Sequence, residues 1–78
     1  MKVIKTRIMY EENIELVYNL VQDGNTYGLE MESKEEQRQY IYVDDIAREL
    51  GKALEIMDLF ANNTVFPMNA LEVFDDLL

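Results

Sequence analysis

Ile14-Glu15-Leu16-Val17-Tyr18-Asn19-Leu20-Val21-Gln22-Asp23-Gly24-Asn25-Thr26-Tyr27-Gly28-Leu29-Glu30-Met31 is the stretch on which the fold turns. At its centre, Asp23-Gly24 supplies the positive φ angles of a type I′ turn, and Gly24-Asn25 suits a II′ turn instead. The flanks alternate with period 2, the pattern of half-buried strands. Ile14, Leu16, Tyr18 and Leu20 share one side, and a two-residue loop returns Tyr27, Leu29 and Met31 to that side. Glu15, Val17, Asn19 and Val21 share the other, joined by Gly28, Glu30 and Glu32. Strands are therefore predicted over 14–22 and 26–32, paired as a hairpin.

Outward from this hairpin the pattern continues. Residues 2–10 alternate, with Ile4, Thr6, Ile8 and Tyr10 expected on the core side and Val3, Lys5 and Arg7 outside. The polar Glu11-Glu12-Asn13 separates this strand from the next. Arg7 would then lie diagonally across from Glu15, a cross-strand pair contributing about 0.2–1 kcal/mol. A fourth strand is predicted over 38–43, where Tyr40 and Tyr42 alternate with Ile41 and Val43. Either pair can enter the core, and the other is then left outside.

Helical spacing follows. Asp44 reads as an N-cap, with Asp45 favourable to the helix dipole. Ile46, Leu50, Ala53, Leu54, Met57, Phe60 and Ala61 form an apolar stripe, so a helix is predicted over 45–61. Gly51 and Ala47 leave a smooth patch for close approach. Asn62-Asn63 suits a C-cap, and Pro67 imposes an extended conformation on Phe66. A last helix over 69–77 begins at Pro67 or at an Asn69–Glu72 capping pair. The order β-β-β-β-α-α defines an α+β fold: an antiparallel meander of three to four strands, with both helices on one face. At 78 residues the chain is read as a single domain, 1–78.

Composition narrows the function. Histidine and cysteine are absent. That excludes Ser-His-Asp and Cys-His catalysis, thiolate metal clusters and disulfides. Ser33 is the only serine; it reads as a solvated turn residue with no base beside it. The three glycines are scattered, so no phosphate-binding loop exists. Acid pairs such as Glu35-Glu36 lack the alternate spacing of a calcium loop. No catalytic residue, cofactor, metal or small-molecule substrate is therefore expected, and the chain reads as a non-enzyme.

Sixteen acidic residues oppose 7 basic ones, a net charge of −9. Lys2, Lys5 and Arg7 sit together near the start, which leaves 4 basic residues against 16 acids beyond Tyr10. Direct binding to nucleic acid or an anionic membrane is disfavoured over such a surface. No apolar run approaches the roughly 20 residues that span a bilayer. Met1-Lys2-Val3-Ile4-Lys5 lacks the apolar stretch of about 7–15 residues found in a secretory signal. The expectation is a cytoplasmic protein.

Thr26-Tyr27-Gly28-Leu29-Glu30, Asn63-Thr64-Val65-Phe66-Pro67 and the closing Val73-Phe74-Asp75-Asp76-Leu77-Leu78 resemble a family of short, uncharacterised, clostridial-type bacterial proteins, a domain of unknown function. Ala70 stands where that pattern has a larger aliphatic residue. The resemblance implies a small bacterial cytoplasmic protein. It implies no activity, ligand or catalytic residue.

Two surfaces stand out. Val3, Val17 and Val21, with Tyr40 and Tyr42 or else Ile41 and Val43, fall on the sheet face away from the helices. A contiguous apolar patch there marks an interface for a protein partner or a second copy. Asp75 and Asp76 form the second. They end the last helix, where the dipole disfavours anions, and read either as a frayed turn or as a functional acidic surface. An alternative function follows from charge alone: an acidic mimic of nucleic acid that inhibits a basic DNA- or RNA-binding protein.

Overall fold

A computed structural model, which describes residues 1–77, has four strands: β1 (Lys2–Glu11), β2 (Ile14–Asp23), β3 (Thr26–Ser33) and β4 (Gln39–Ala47). They pair antiparallel in the order β1-β2-β3-β4. Helix α1 (Leu50–Asn62), a 3-10 turn (Pro67–Asn69) and helix α2 (Ala70–Leu77) follow. The expected meander and α+β class are what the chain forms. Leu78, read as part of the last apolar stripe, lies outside the described residues.

Both hairpins are as tight as the chain permits. Asp23 pairs with Thr26, so Gly24-Asn25 is the loop. Only Gly24 has positive φ there (63°), as a II′ turn requires. Between β1 and β2, Glu12 (φ 49°) and Asn13 (φ 71°) both adopt the left-handed conformation. This is the I′ requirement, met by residues with side chains.

The inner face carries Leu16, Tyr18, Leu20, Leu29 and Met31, each at most 1% exposed. Ile41 and Val43 pair with Met31 and Leu29 and join them; Tyr40 and Tyr42 face outward. Ala53, Met57, Phe60 and Ala61 of α1 close over this layer from above. Ala70, Val73 and Phe74 of α2 complete it, with the Phe60 and Phe74 rings 6.0 Å apart and tilted by 49°.

Strand β1 differs from the expectation in one consequential way. Its register shifts between Val3, opposite Val21, and Lys5, opposite Leu20. Ile4 is the extra residue of a bulge and packs on the core. A slip of one residue sends every later side chain to the other face. Arg7 and Met9 therefore point at the helices, and Thr6, Ile8 and Tyr10 point away. Arg7 does not meet Glu15. Its guanidinium donates to Asp58 Oδ1 at 2.9 Å and Asn62 Oδ1 at 3.0 Å, tying β1 to α1.

A second irregularity corrects the start of α1. Leu29 pairs with Val43 and Tyr27 with Ala47, so Gly28 alone opposes Asp44, Asp45 and Ile46. Asp45 takes φ 51°, which aspartate tolerates better than most residues. Asp44 is thus a strand residue and not an N-cap, and the helix begins at Leu50 after Glu49. Ile46 still reaches the core, from the strand. Gly51 faces open space, so it makes no close approach. Ser33 also departs from its reading as a solvated residue. It ends β3, fully buried, and its hydroxyl donates to Glu35 Oε1 at 3.0 Å.

Helix α1 stops at the expected cap, Asn63. Thr64 N–H donates to Ala61 O (3.0 Å) and Val65 N–H to Phe60 O (3.1 Å), the two bonds of a Schellman motif. The motif needs a left-handed residue after the cap, and here that is Thr64 at φ 46°. Glycine usually fills the position, because a β-branched side chain there is strained. Thr64→Gly is expected to stabilise the fold by about 1 kcal/mol even though the bond from Thr64 Oγ1 to Glu11 Oε2 is lost. Thermal unfolding checks this: a melting temperature that falls would show that the bond to Glu11 outweighs the strain.

Candidate functional site

The outer face of the sheet is the surface that no helix among the described residues covers, and its residues come from all four strands. One row runs Val3–Val21–Gly28, the next Thr6–Asn19–Glu30–Tyr42, the next Ile8–Val17–Glu32–Tyr40. The five residues singled out from sequence, Val3, Val17, Val21, Tyr40 and Tyr42, all lie here. Thr6, Ile8, Tyr10, Asn19 and Glu30 lie among them. Three of these, Thr6, Ile8 and Tyr10, had been expected in the core, and nothing within the alternation of β1 announces the bulge that turns them out.

The candidates differ in exposure. Val3 (55%), Ile8 (51%), Tyr10 (64%) and Tyr40 (59%) are open, Val17 is half-buried, and Val21 is only 3% exposed. Val21 is sealed from its own face, not by the helices. Its cross-strand neighbour Gly28 has no side chain, and the Tyr42 ring occupies the notch. A Cβ built on Gly28 would stand 2.7 Å from Tyr42 Cε1. An aromatic ring laid over a strand glycine restores the packing the glycine lacks. The Tyr42 hydroxyl is buried without a hydrogen-bond partner among the described residues. Burial, with Asp23, Asp44 and Glu30 nearby, raises its pKa.

Polar groups on this face bond one another in the plane of the sheet. Thr6 Oγ1 donates to Asn19 Oδ1, and Asn19 Nδ2 donates to Glu30 Oε1 at 2.8 Å. Tyr40 O–H donates to Glu30 Oε2 at 2.7 Å. The resulting ladder crosses all four strands. Glu15 takes Tyr10 O–H at 3.0 Å and Lys34 at 3.1 Å, and Glu32 takes Arg38 at 3.4 Å. Hydrogen bonds to carboxylates raise the pKa of Tyr40 and of Tyr10; Lys34 and then Tyr10 lower that of Glu15. Tyr42 excepted, the polar side chains of these rows each have a side-chain partner in the sheet plane or at its rim.

Elsewhere the surface gives less. Asp75 and Asp76 occupy the last turn of α2, exposed and without a basic partner among the described residues. A cleft of 330 Å³ beside α1 and α2 is lined by Ile46, Ile56, Leu59, Phe74 and Leu77, with Lys52 and Glu55 its charged residues. Among the described residues, no three acids converge as a metal site would require, and no helix is long and apolar enough to cross a membrane.

The class these features define is a small α+β domain, a four-stranded antiparallel meander roofed on one side and bare on the other. The family described as "Family of unknown function (DUF6514)" matches residues 2–78, and the chain belongs to it. No curated protein and no solved structure matches.

Proposed function

We propose that this chain is a non-catalytic interaction module of the bacterial cytoplasm whose outer sheet face binds a protein, either a different partner or a second copy. The observation that supports this best is the pairing of open apolar side chains with polar groups that, Tyr42 excepted, already have partners in plane. Burying an unpaired polar group costs about 1–3 kcal/mol, and this face has mostly removed that obstacle before any partner arrives. Tyrosine is among the residues enriched at interfaces, and Tyr10 and Tyr40 stand here. The non-catalytic part rests on composition: without histidine or cysteine, neither the usual neutral-pH base nor a thiolate nucleophile is present.

The test is affinity capture from bacterial cytoplasm with wild type, Tyr40→Lys on the face and Leu71→Lys on α2. Loss of a captured protein with Tyr40→Lys alone is expected. Loss with Leu71→Lys alone would overturn the assignment of the face. The acidic-mimic reading is tested in the same experiment by salt. Screening sets in beyond about 8 Å at physiological ionic strength, so mimicry predicts capture that weakens as salt rises. The face predicts capture that persists.

A further inference from the structure

We infer that a second copy of this chain adds to the free edge of β1, antiparallel and about a two-fold axis normal to the sheet, so that two meanders become one continuous sheet. This goes beyond the reading of the outer face and does not depend on what that face binds.

The backbone fixes which groups are free. The pairs Glu11–Ile14 and Asp23–Thr26 close two-residue loops, and a pair in that position exchanges both of its hydrogen bonds. Bonding then alternates along each strand, so even-numbered residues of β2 serve β1 and odd-numbered ones serve β3. Lys34 N–H donates to Glu15 O at 2.9 Å and continues the same alternation. On β1, Arg7 and Met9, opposite Tyr18 and Leu16, are the residues bonded to β2. Thr6, Ile8 and Tyr10 therefore aim their N–H and C=O groups out of the sheet edge. No other partner for these groups appears among the described residues. Such a row is a template for a further strand. The bulge at Ile4 ends it on one side and the turn at Glu12 on the other, leaving Lys5–Glu11 regular.

The side chains of this segment select its own copy. Its midpoint is Ile8, so an antiparallel copy placed with Ile8 against Ile8 overlaps the whole of it. Thr6 then lies opposite Tyr10 of the second copy, and Lys5 opposite Glu11. Thr6, Ile8 and Tyr10 meet only one another, and every free backbone group of the row gains a partner. On the outer face the contact covers Ile8 and Tyr10, 51% and 64% exposed in the single chain. On the other face Lys5 and Glu11, both exposed, form an opposite-charge pair at each end of the contact. A residue that meets a different residue, reciprocally, is the signature of an isologous interface.

Charge favours this edge and this register. The chain carries −9, but β1 is the strand whose cations, Lys2, Lys5 and Arg7, outnumber its acid, Glu11. Arg7 is already held by Asp58, which leaves Lys5 to meet Glu11. Sliding the copy by two residues, the smallest step the alternation allows, sets Arg7 against Arg7 in one direction. In the other it lays Lys5 against the turn at Asn13 and shortens the overlap. The opposite edge of the sheet, β4, offers a shorter template, because Asp44 and Asp45 interrupt it where Gly28 faces extra residues.

Sedimentation equilibrium of the full chain at about 100 µM tests the inference, well above the micromolar dissociation constants at the weak end of protein interfaces. Wild type is expected at twice the 9.2 kDa chain mass. Lys5→Glu sets like charges across both ends of the contact and is expected to raise the dimer dissociation constant about tenfold, with unchanged circular dichroism. Glu11→Lys is the reciprocal variant should Lys5→Glu fail to fold. The double variant Lys5→Glu with Glu11→Lys is expected to restore the dimer. Lys52→Glu on α1 makes the same change in net charge and is expected to leave it intact. A monomeric wild type overturns the inference. So does a dimer indifferent to both single variants, a double variant that stays dissociated, or an equal loss with Lys52→Glu. Tyr40→Lys, which is expected to end capture by the outer face, is expected to remain dimeric. A dimer that Tyr40→Lys dissociates assigns the contact to the face and removes the edge, whereas failed capture with an intact, charge-reversible dimer removes only the reading of the face.

Discussion

Phe60→Ala is expected to remove about 3–5 kcal/mol of folding stability, more than any other substitution considered. Phe60 is fully buried, and its ring joins α1 to α2 through Phe74. An aromatic pair of this kind adds about 0.5–1.5 kcal/mol beyond burial alone. Its carbonyl also accepts the Val65 N–H that ends α1, so the backbone there is held in place and cannot collapse into the cavity. A domain of this size sits near the lower end of the range of about 5–15 kcal/mol for folding stability. The variant should therefore be largely unfolded without denaturant. Urea denaturation followed by circular dichroism measures it; a loss below about 1.5 kcal/mol would mean that Phe60 does not close the core.

Tyr18→Phe is the second large effect, and it has a pH signature. Tyr18 is completely buried on β2, and its hydroxyl donates to Val65 O at 2.8 Å. Removing the donor leaves a carbonyl without that bond, at a cost of about 1–3 kcal/mol near neutral pH. Burial pushes the Tyr18 pKa up to about 12, opposed slightly by Arg7. The unfolded chain ionises near pH 10, so it loses protons before the native state does. The contribution of Tyr18 is complete below pH ~10 and is lost as pH rises toward ~12, a fall of the order of 2 kcal/mol. Wild type should lose stability steeply over that window. Tyr18→Phe should start lower and decline less, with a residual slope from Tyr10, Tyr40 and Tyr42, whose pKa values are also raised. Parallel declines in the two proteins would remove Tyr18 as the source.

Bonds such as Tyr18 to Val65 O show where the sequence becomes illegible. That β2 pairs with β3 through a glycine turn is written in residues 14–31, because alternation and turn chemistry are local. The cap at Asn63 and the extended chain at Phe66 are local in the same sense, set by backbone conformations that Pro67 and the two asparagines favour. The outward placement of Val3, Val17 and Val21 follows from period alone. The choice of Tyr40 and Tyr42 over Ile41 and Val43 does not. It is decided by the notch at Gly28, which accepts an aromatic ring from the neighbouring strand.

Both errors of placement have one cause. A bulge is an agreement between two strands, and neither strand encodes it alone. The extra residue at Ile4 turned Ile8 and Tyr10 outward and Arg7 inward, which enlarged the candidate face and gave α1 its tether. The extra residues opposite Gly28 kept Asp44 and Asp45 in β4 and delayed the helix to Leu50. Composition and period determined an acidic α+β meander with helices on one side. Which side chains lie on the bare face was decided only when the strands paired, since a single-residue shift in register exchanges the two faces of everything beyond it.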